Sequence, residues 1–118
     1  MKIVIIEDNP DILDIIDYIL KDVGYEVFSC PDGTIVKNLD KINPDVILLD
    51  EILPSVRGSE ICRQLKTQSE FKEVPVILVS TIPHLAKLAL QCGADSYLEK
   101  PFNIQDLTNI IEQYAPKA

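Results

Sequence analysis

Five short apolar runs, each separated from the next by a segment with helical spacing, constrain the fold of this chain more than any other feature. The runs are Ile3–Ile6, Tyr25–Phe28, Val46–Leu49, Val76–Val79 and Ser96–Leu98. Between the first two, Ile12, Leu13, Ile15, Ile16, Ile19 and Leu20 recur at the period of an amphipathic helix. Strands that alternate with helices pair in parallel, with helices covering both faces of the sheet. The punctuation agrees. Asn9-Pro10 suits an N-cap followed by proline at the first helical position, and Gly24 and Gly93 stand where helices should end. Asn103, with Asp106 three residues on, predicts a capped last helix over roughly 104–114. No repeat, low-complexity tract or linker interrupts the 118 residues, which read as one domain over 1–118.

Strand composition predicts the order as well. Ile3–Ile6, Val46–Leu49 and Val76–Val79 are apolar throughout, as central strands buried on both faces must be. The second and fifth runs mix in polar residues (Glu26, Ser96, and Glu99 just beyond), as sheet edges do. The expectation is an α/β fold with five helices: a flavodoxin-like, doubly wound, five-stranded parallel sheet of order 2-1-3-4-5. In such sheets ligands bind at the carboxyl ends of the strands flanking the reversal of order, here strands one and three.

Composition narrows the function classes. The net charge is −8, from 11 basic and 19 acidic side chains, so no basic footprint for a phosphate backbone exists and direct nucleic-acid binding is not expected. No run of about 18 apolar residues suggests a membrane span, and Met1–Glu7 turns acidic too early for a signal peptide. Cys30, Cys62 and Cys92 are odd in number and widely spaced, which predicts reduced thiols and a cytoplasmic location.

Chemistry-bearing residues fall where the topology expects a ligand. Glu7 and Asp8 follow strand one, and Asp50 follows strand three. Three crowded carboxylates resist ionising together unless a cation neutralises them, and hard oxygen ligands with room for water suit Mg²⁺. Ser80 closes strand four and offers a hydroxyl; Lys100 follows strand five and offers a positive point charge. Alone, each has a bland explanation, because loop acids, turn serines and solvated lysines are common. Together they make a phosphoryl-transfer set of carboxylate nucleophile, divalent cation, hydroxyl and lysine.

These residues sit in stretches that resemble the receiver domains of two-component response regulators. The matching pieces are Ile3–Asp11 with Glu7-Asp8, Asp45–Asp50 with Leu53-Pro54 and Gly58, Val76–Ser80, and Gly93–Phe102 with Lys100-Pro101. They cover nearly the whole chain in order. The resemblance implies that Asp50 accepts a phosphoryl group from a histidine kinase or phosphotransfer protein, and that Glu7, Asp8, Asp50 and the Ile52 carbonyl hold Mg²⁺. It implies catalytic roles for Ser80 and Lys100, switch roles for Ser80 and Tyr97, and a cis bond before Pro101. Such a protein is a phosphoacceptor and not an enzyme acting on other substrates. It signals through the fourth helix, fifth strand and fifth helix to an effector or fused output domain, or to a phosphorylation-dependent homodimer. His84, the single histidine, is expected to face solvent near the start of the fourth helix. Arg57 and Thr81 depart from the commoner pattern, in which an acid precedes the glycine and a small alanine follows the switch hydroxyl.

Rival classes lack their signatures. A haloacid-dehalogenase phosphatase wants Asp-x-Asp after strand one, where this chain has Glu7-Asp8-Asn9-Pro10. A nucleotide-binding module wants a glycine-rich phosphate loop there, and a flavodoxin a Ser/Thr-rich one. The alternative that survives is a receiver-fold interaction domain not regulated by phosphorylation.

Overall fold

The computed structural model describes residues 1–114. Five strands, β1 (Lys2–Ile6), β2 (Glu26–Cys30), β3 (Val46–Asp50), β4 (Val76–Ser80) and β5 (Ser96–Glu99), form one parallel sheet in the order β2-β1-β3-β4-β5. The expected order therefore holds. β3 and β4 are buried at every residue, whereas β5 alternates half-buried with exposed. The predicted strand ends needed small changes. Tyr25 lies outside β2, and Asp50 is the last residue of β3 instead of the first beyond it, while Ser80 closes β4 as expected.

Four helices connect the strands, α1 (Pro10–Val23), α2 (Leu39–Ile42), α3 (Gly58–Lys66) and α4 (Leu85–Cys92), and α5 (Ile104–Tyr114) follows β5. The side chain of Asn9 caps α1 by accepting the N–H groups of Asp11 and Ile12 at 3.0 and 3.1 Å. Gly24 ends it in the left-handed conformation (φ 112°), which a side chain would make costly. Asn103 and Asp106 make the reciprocal cap of α5: Asn103 Oδ1 accepts the Asp106 N–H at 2.7 Å, and Asp106 Oδ2 accepts the Asn103 N–H at 3.5 Å. The second helix is the irregular one. A 3₁₀ segment, Gly33–Asn38, precedes the single turn of α2, which Asn43 closes at φ 55° just before Pro44.

Alternation along the strands builds two cores. Ile3, Ile5, Val46, Leu48, Ile77 and Val79 face Ile16 and Leu20 of α1 and Leu107 and Ile111 of α5. On the opposite face, Val4, Ile6, Ile47, Leu49, Val76 and Leu78 pack under α2, α3 and α4. Cys62 and Cys92 lie within this second core. Burial, with Cys92 alongside, pushes the Cys62 thiol up to about 12, so it stays protonated and unreactive. No described helix is long and apolar enough to cross a membrane.

Candidate functional site at the carboxyl end of the sheet

The sheet delivers four polar side chains to one edge because β1, β3, β4 and β5 all end there. Glu7 follows β1, Asp50 and Ser80 end β3 and β4, and Lys100 follows β5. Glu7, Asp50 and Ser80 are buried while Asp8 is exposed. The carboxylates of Glu7, Asp8 and Asp50 each bring an oxygen to within 4.8 Å of the others. Two of these acids are buried and one faces solvent. A small hard cation would gain protein oxygens on one side and keep water on the other, so the donor set fits Mg²⁺.

Lys100 organises the buried acids. Its Nζ lies 2.5 Å from Glu7 Oε1 and 3.5 Å from Asp50 Oδ2. Burial alone would raise both carboxyl pKa values. For Glu7 the Lys100 hydrogen bond and the Asn9 N–H (3.2 Å to Oε2) outweigh it, holding this group below the usual carboxylate range. Asp50 meets the opposite balance. Burial and its contact with Glu7 push it up to about 7, and the more distant Lys100 offsets only part of this. In the metal-free protein Asp50 is therefore the one of this pair that binds a proton more readily, and the Ile52 N–H touches it only loosely at 3.4 Å.

The remaining residues fall as follows. Ser80 Oγ accepts the Ile82 N–H at 3.3 Å, which leaves its own proton free to donate. The Lys100–Pro101 peptide bond is cis. Tyr97 lies on β5 and is 40% exposed. His84 is exposed at the N-cap of α4 with φ 60°. Thr81 is exposed and lines an apolar hollow with Ile12, Ile15, Ile16, Pro101 and Phe102. Arg57 reaches back to Glu51 Oε2 at 3.6 Å.

Glu51 is the residue that the sequence reading missed. An acid beside Asp50 suggests a fourth carboxylate of the cluster or a solvated one, yet Glu51 is only 1% exposed. It turns away from the cluster and accepts both the N–H (2.6 Å) and the hydroxyl (3.0 Å) of Ser59 at the start of α3. The signal available was the pairing of Asp50-Glu51 with Gly58-Ser59, an acid and a hydroxyl flanking the loop.

Comparison with known proteins places the chain. The family model for the response regulator receiver domain matches residues 3–112. Among similar structures is the receiver domain of a sensor histidine kinase from Pseudomonas aeruginosa, solved with a magnesium ion coordinated in its active-site cleft. It is 30% identical over 96% of this chain and 95% of that one, with a TM-score of 0.87. The chemotaxis response regulator CheY4 of Vibrio cholerae is 28% identical over 97% and 98% of the two chains, with a TM-score of 0.88. The BeF₃-activated N-terminal receiver domain of RstA from Klebsiella pneumoniae is 27% identical over 97% of each, with a TM-score of 0.86. With the sheet order, the acid trio and a family match over nearly its whole length, this chain belongs to the response regulator receiver domains of two-component systems.

Proposed function

We propose that this protein is a Mg²⁺-dependent phosphoacceptor switch in which Asp50 takes a phosphoryl group from a phosphohistidine of a kinase or phosphotransfer partner. The observation that carries the reading is the joint placement of three carboxylates within 4.8 Å and Lys100 between the two buried ones. Glu7, Asp8, Asp50 and the Ile52 carbonyl would hold the cation, which when bound neutralises the crowded acids and takes up phosphoryl oxygens. Loss of the Asp50 proton to solvent leaves an ionised oxygen as the nucleophile. That oxygen forms the new O–P bond as the histidine N–P bond breaks, and the imidazole nitrogen keeps the electron pair. Lys100, already 3.5 Å from Asp50, supplies positive charge to the phosphorylated side chain. Ser80 donates its free hydroxyl proton to a phosphoryl oxygen. The protein's chemistry is confined to its own phosphorylation and dephosphorylation, so it is not an enzyme with a turnover substrate.

Intact-mass measurement with Mg²⁺ and acetyl phosphate tests the assignment. The wild type should gain one phosphoryl group, and Asp50→Asn none. Comparable labelling of Asp50→Asn would remove Asp50 from the mechanism, and an unlabelled wild type would favour a receiver-fold interaction domain that phosphorylation does not regulate.

The same reading assigns output to α4, β5 and α5, roughly residues 83–114. Leu90 (82% exposed) on α4, Tyr97 on β5 and Ile104 on α5 each expose apolar surface. Drawing Ser80 toward a phosphoryl group would pull on Thr81-Ile82-Pro83 and open space for the Tyr97 ring. One charge-assisted hydrogen bond, about 1.5–3 kcal/mol, shifts a two-state equilibrium by roughly ten- to a hundredfold. Beryllofluoride with Mg²⁺ should therefore change amide shifts across this face, and Ser80→Ala should blunt the changes while Asp50 still takes phosphate. Shifts confined to the loops at Glu7, Asp50 and Lys100 would break the coupling scheme.

A further inference from the structure

We infer that Glu51 is a positioning residue: a buried carboxylate clamp that holds the loop 52–57 against the end of β3 and thereby sets the Mg²⁺ affinity of the site. The inference rests on the phosphoacceptor reading only in taking the acid cluster and Ile52 as the metal site. It concerns a residue outside that cluster.

One residue closes both ends of the loop. The Glu51 backbone N–H donates to Val79 O on β4 at 3.3 Å, and its carbonyl accepts the Gly58 N–H at 3.0 Å. Its side chain then receives the Ser59 N–H on Oε1 and the Ser59 hydroxyl on Oε2, with Arg57 Nη1 3.6 Å from Oε2. The first turn of α3 needs such an acceptor, because Arg57 at its N-cap position makes no side-chain capping bond. A carboxylate there also faces the positive end of the helix dipole.

Of the residues between these anchors, Leu53 and Val56 pack against the core, and the Val56 N–H donates to Pro54 O at 2.8 Å. Ile52, Pro54, Ser55 and Arg57 are exposed, and Ser55 sits at φ 72°, a conformation that a non-glycine residue keeps only when its surroundings impose it. Ile52, immediately after Glu51, carries both the N–H that touches Asp50 and the carbonyl assigned to the cation. Apolar packing at position 51 would resist water but would not fix direction. Two carboxylate oxygens held by separate donors do fix it. Removing groups that orient metal ligands typically weakens metal binding by about tenfold or more.

The test separates orientation from stability. Glu51→Leu with Ser59→Ala replaces the buried polar pair by apolar groups, a change that leaves no buried charge without a partner. Mg²⁺ alone is titrated into the whole chain, followed by amide chemical shifts, with the melting temperature measured alongside. The double variant should stay folded but melt several degrees below the wild type, because the Ser59 N–H loses its acceptor, and it should bind Mg²⁺ about tenfold more weakly. Glu51→Gln, which keeps an acceptor for the Ser59 N–H, should recover most of the affinity. A folded double variant with wild-type Mg²⁺ affinity overturns the inference. Should the double variant not fold, Ser59→Ala alone decides, and unchanged affinity overturns the inference there too. A wild type that binds Mg²⁺ but takes no phosphoryl group defeats the phosphoacceptor reading and leaves the role of Glu51 standing. A wild type with no measurable Mg²⁺ binding overturns both.

Discussion

Gly58→Ala will lower the stability of this protein by about 3 kcal/mol or more, close to the upper range for a single added methyl group. A Cβ built on Gly58 lies 2.0 Å from the Asp50 carbonyl oxygen and 2.8 Å from its carbonyl carbon. Both are backbone atoms at the end of a central strand, so no rotamer change relieves the clash. The start of α3 must instead move off β3, stretching the Gly58–Glu51 backbone bond and the Ser59–Glu51 contacts together. Out of a total stability of about 5–15 kcal/mol this is a large fraction. The melting temperature should fall by about 10–15 °C on heating followed by circular dichroism. A fall of under 3 °C would mean that α3 is free to shift, and that the close approach of Gly58 to Asp50 is not required by the fold.

Asp50→Asn will stabilise the metal-free protein at neutral pH while abolishing its phosphorylation. Burial first, then Glu7, pushes the folded-state pKa of Asp50 up to about 7, against an ordinary value of 3.8. Between those two pH values the folded state binds more protons at this site than the unfolded state does. Stability contributed by Asp50 is thus full below about pH 4 and is lost as pH rises toward and through 7. The loss is on the order of 2–4 kcal/mol when complete. Asparagine cannot ionise, so the variant should match the wild type near pH 4 and exceed it increasingly up to pH 8. Glu7 contributes with the opposite sign in both proteins, its lowered pKa giving stability above its ordinary value of 4.5 that is lost on acidification. Saturating Mg²⁺ should raise the wild-type curve, as a ligand bound only by the folded state must, and should raise the variant less. Denaturant titrations at pH 4, 6 and 8 check this. A wild type as stable as Asp50→Asn at pH 8 without metal would show that the acids coexist without strain.

Much of this protein was determined by its sequence because the relevant physics is local. Apolar runs without a polar break can only be central strands, so the order 2-1-3-4-5 followed from Ile3–Ile6, Val46–Leu49 and Val76–Val79 before any coordinates. Asn9, Gly24, Asn103 and Asp106 act within one helical turn, and each lies where its pattern predicts. The converging site residues were legible for the same reason. In a parallel sheet every strand ends at the same edge, which brings Glu7, Asp50, Ser80 and Lys100 together from distant parts of the chain.

What only the tertiary structure decided depends on distances across that edge. Glu7 and Asp50 look alike in sequence, but burial and the neighbouring Glu7 raise Asp50, while Lys100, 2.5 Å from Glu7 and 3.5 Å from Asp50, lowers Glu7 more effectively. Gly58 belongs to a motif, yet its reason is a backbone approach of β3 to α3 that no local pattern encodes. Glu51 shows the limit most clearly. A carboxylate beside an acidic cluster reads as exposed or metal-binding, because burying it alone would cost several kcal/mol. Its donors come from Ser59, eight residues away on another element, and only the turn of the chain between them makes the burial tolerable.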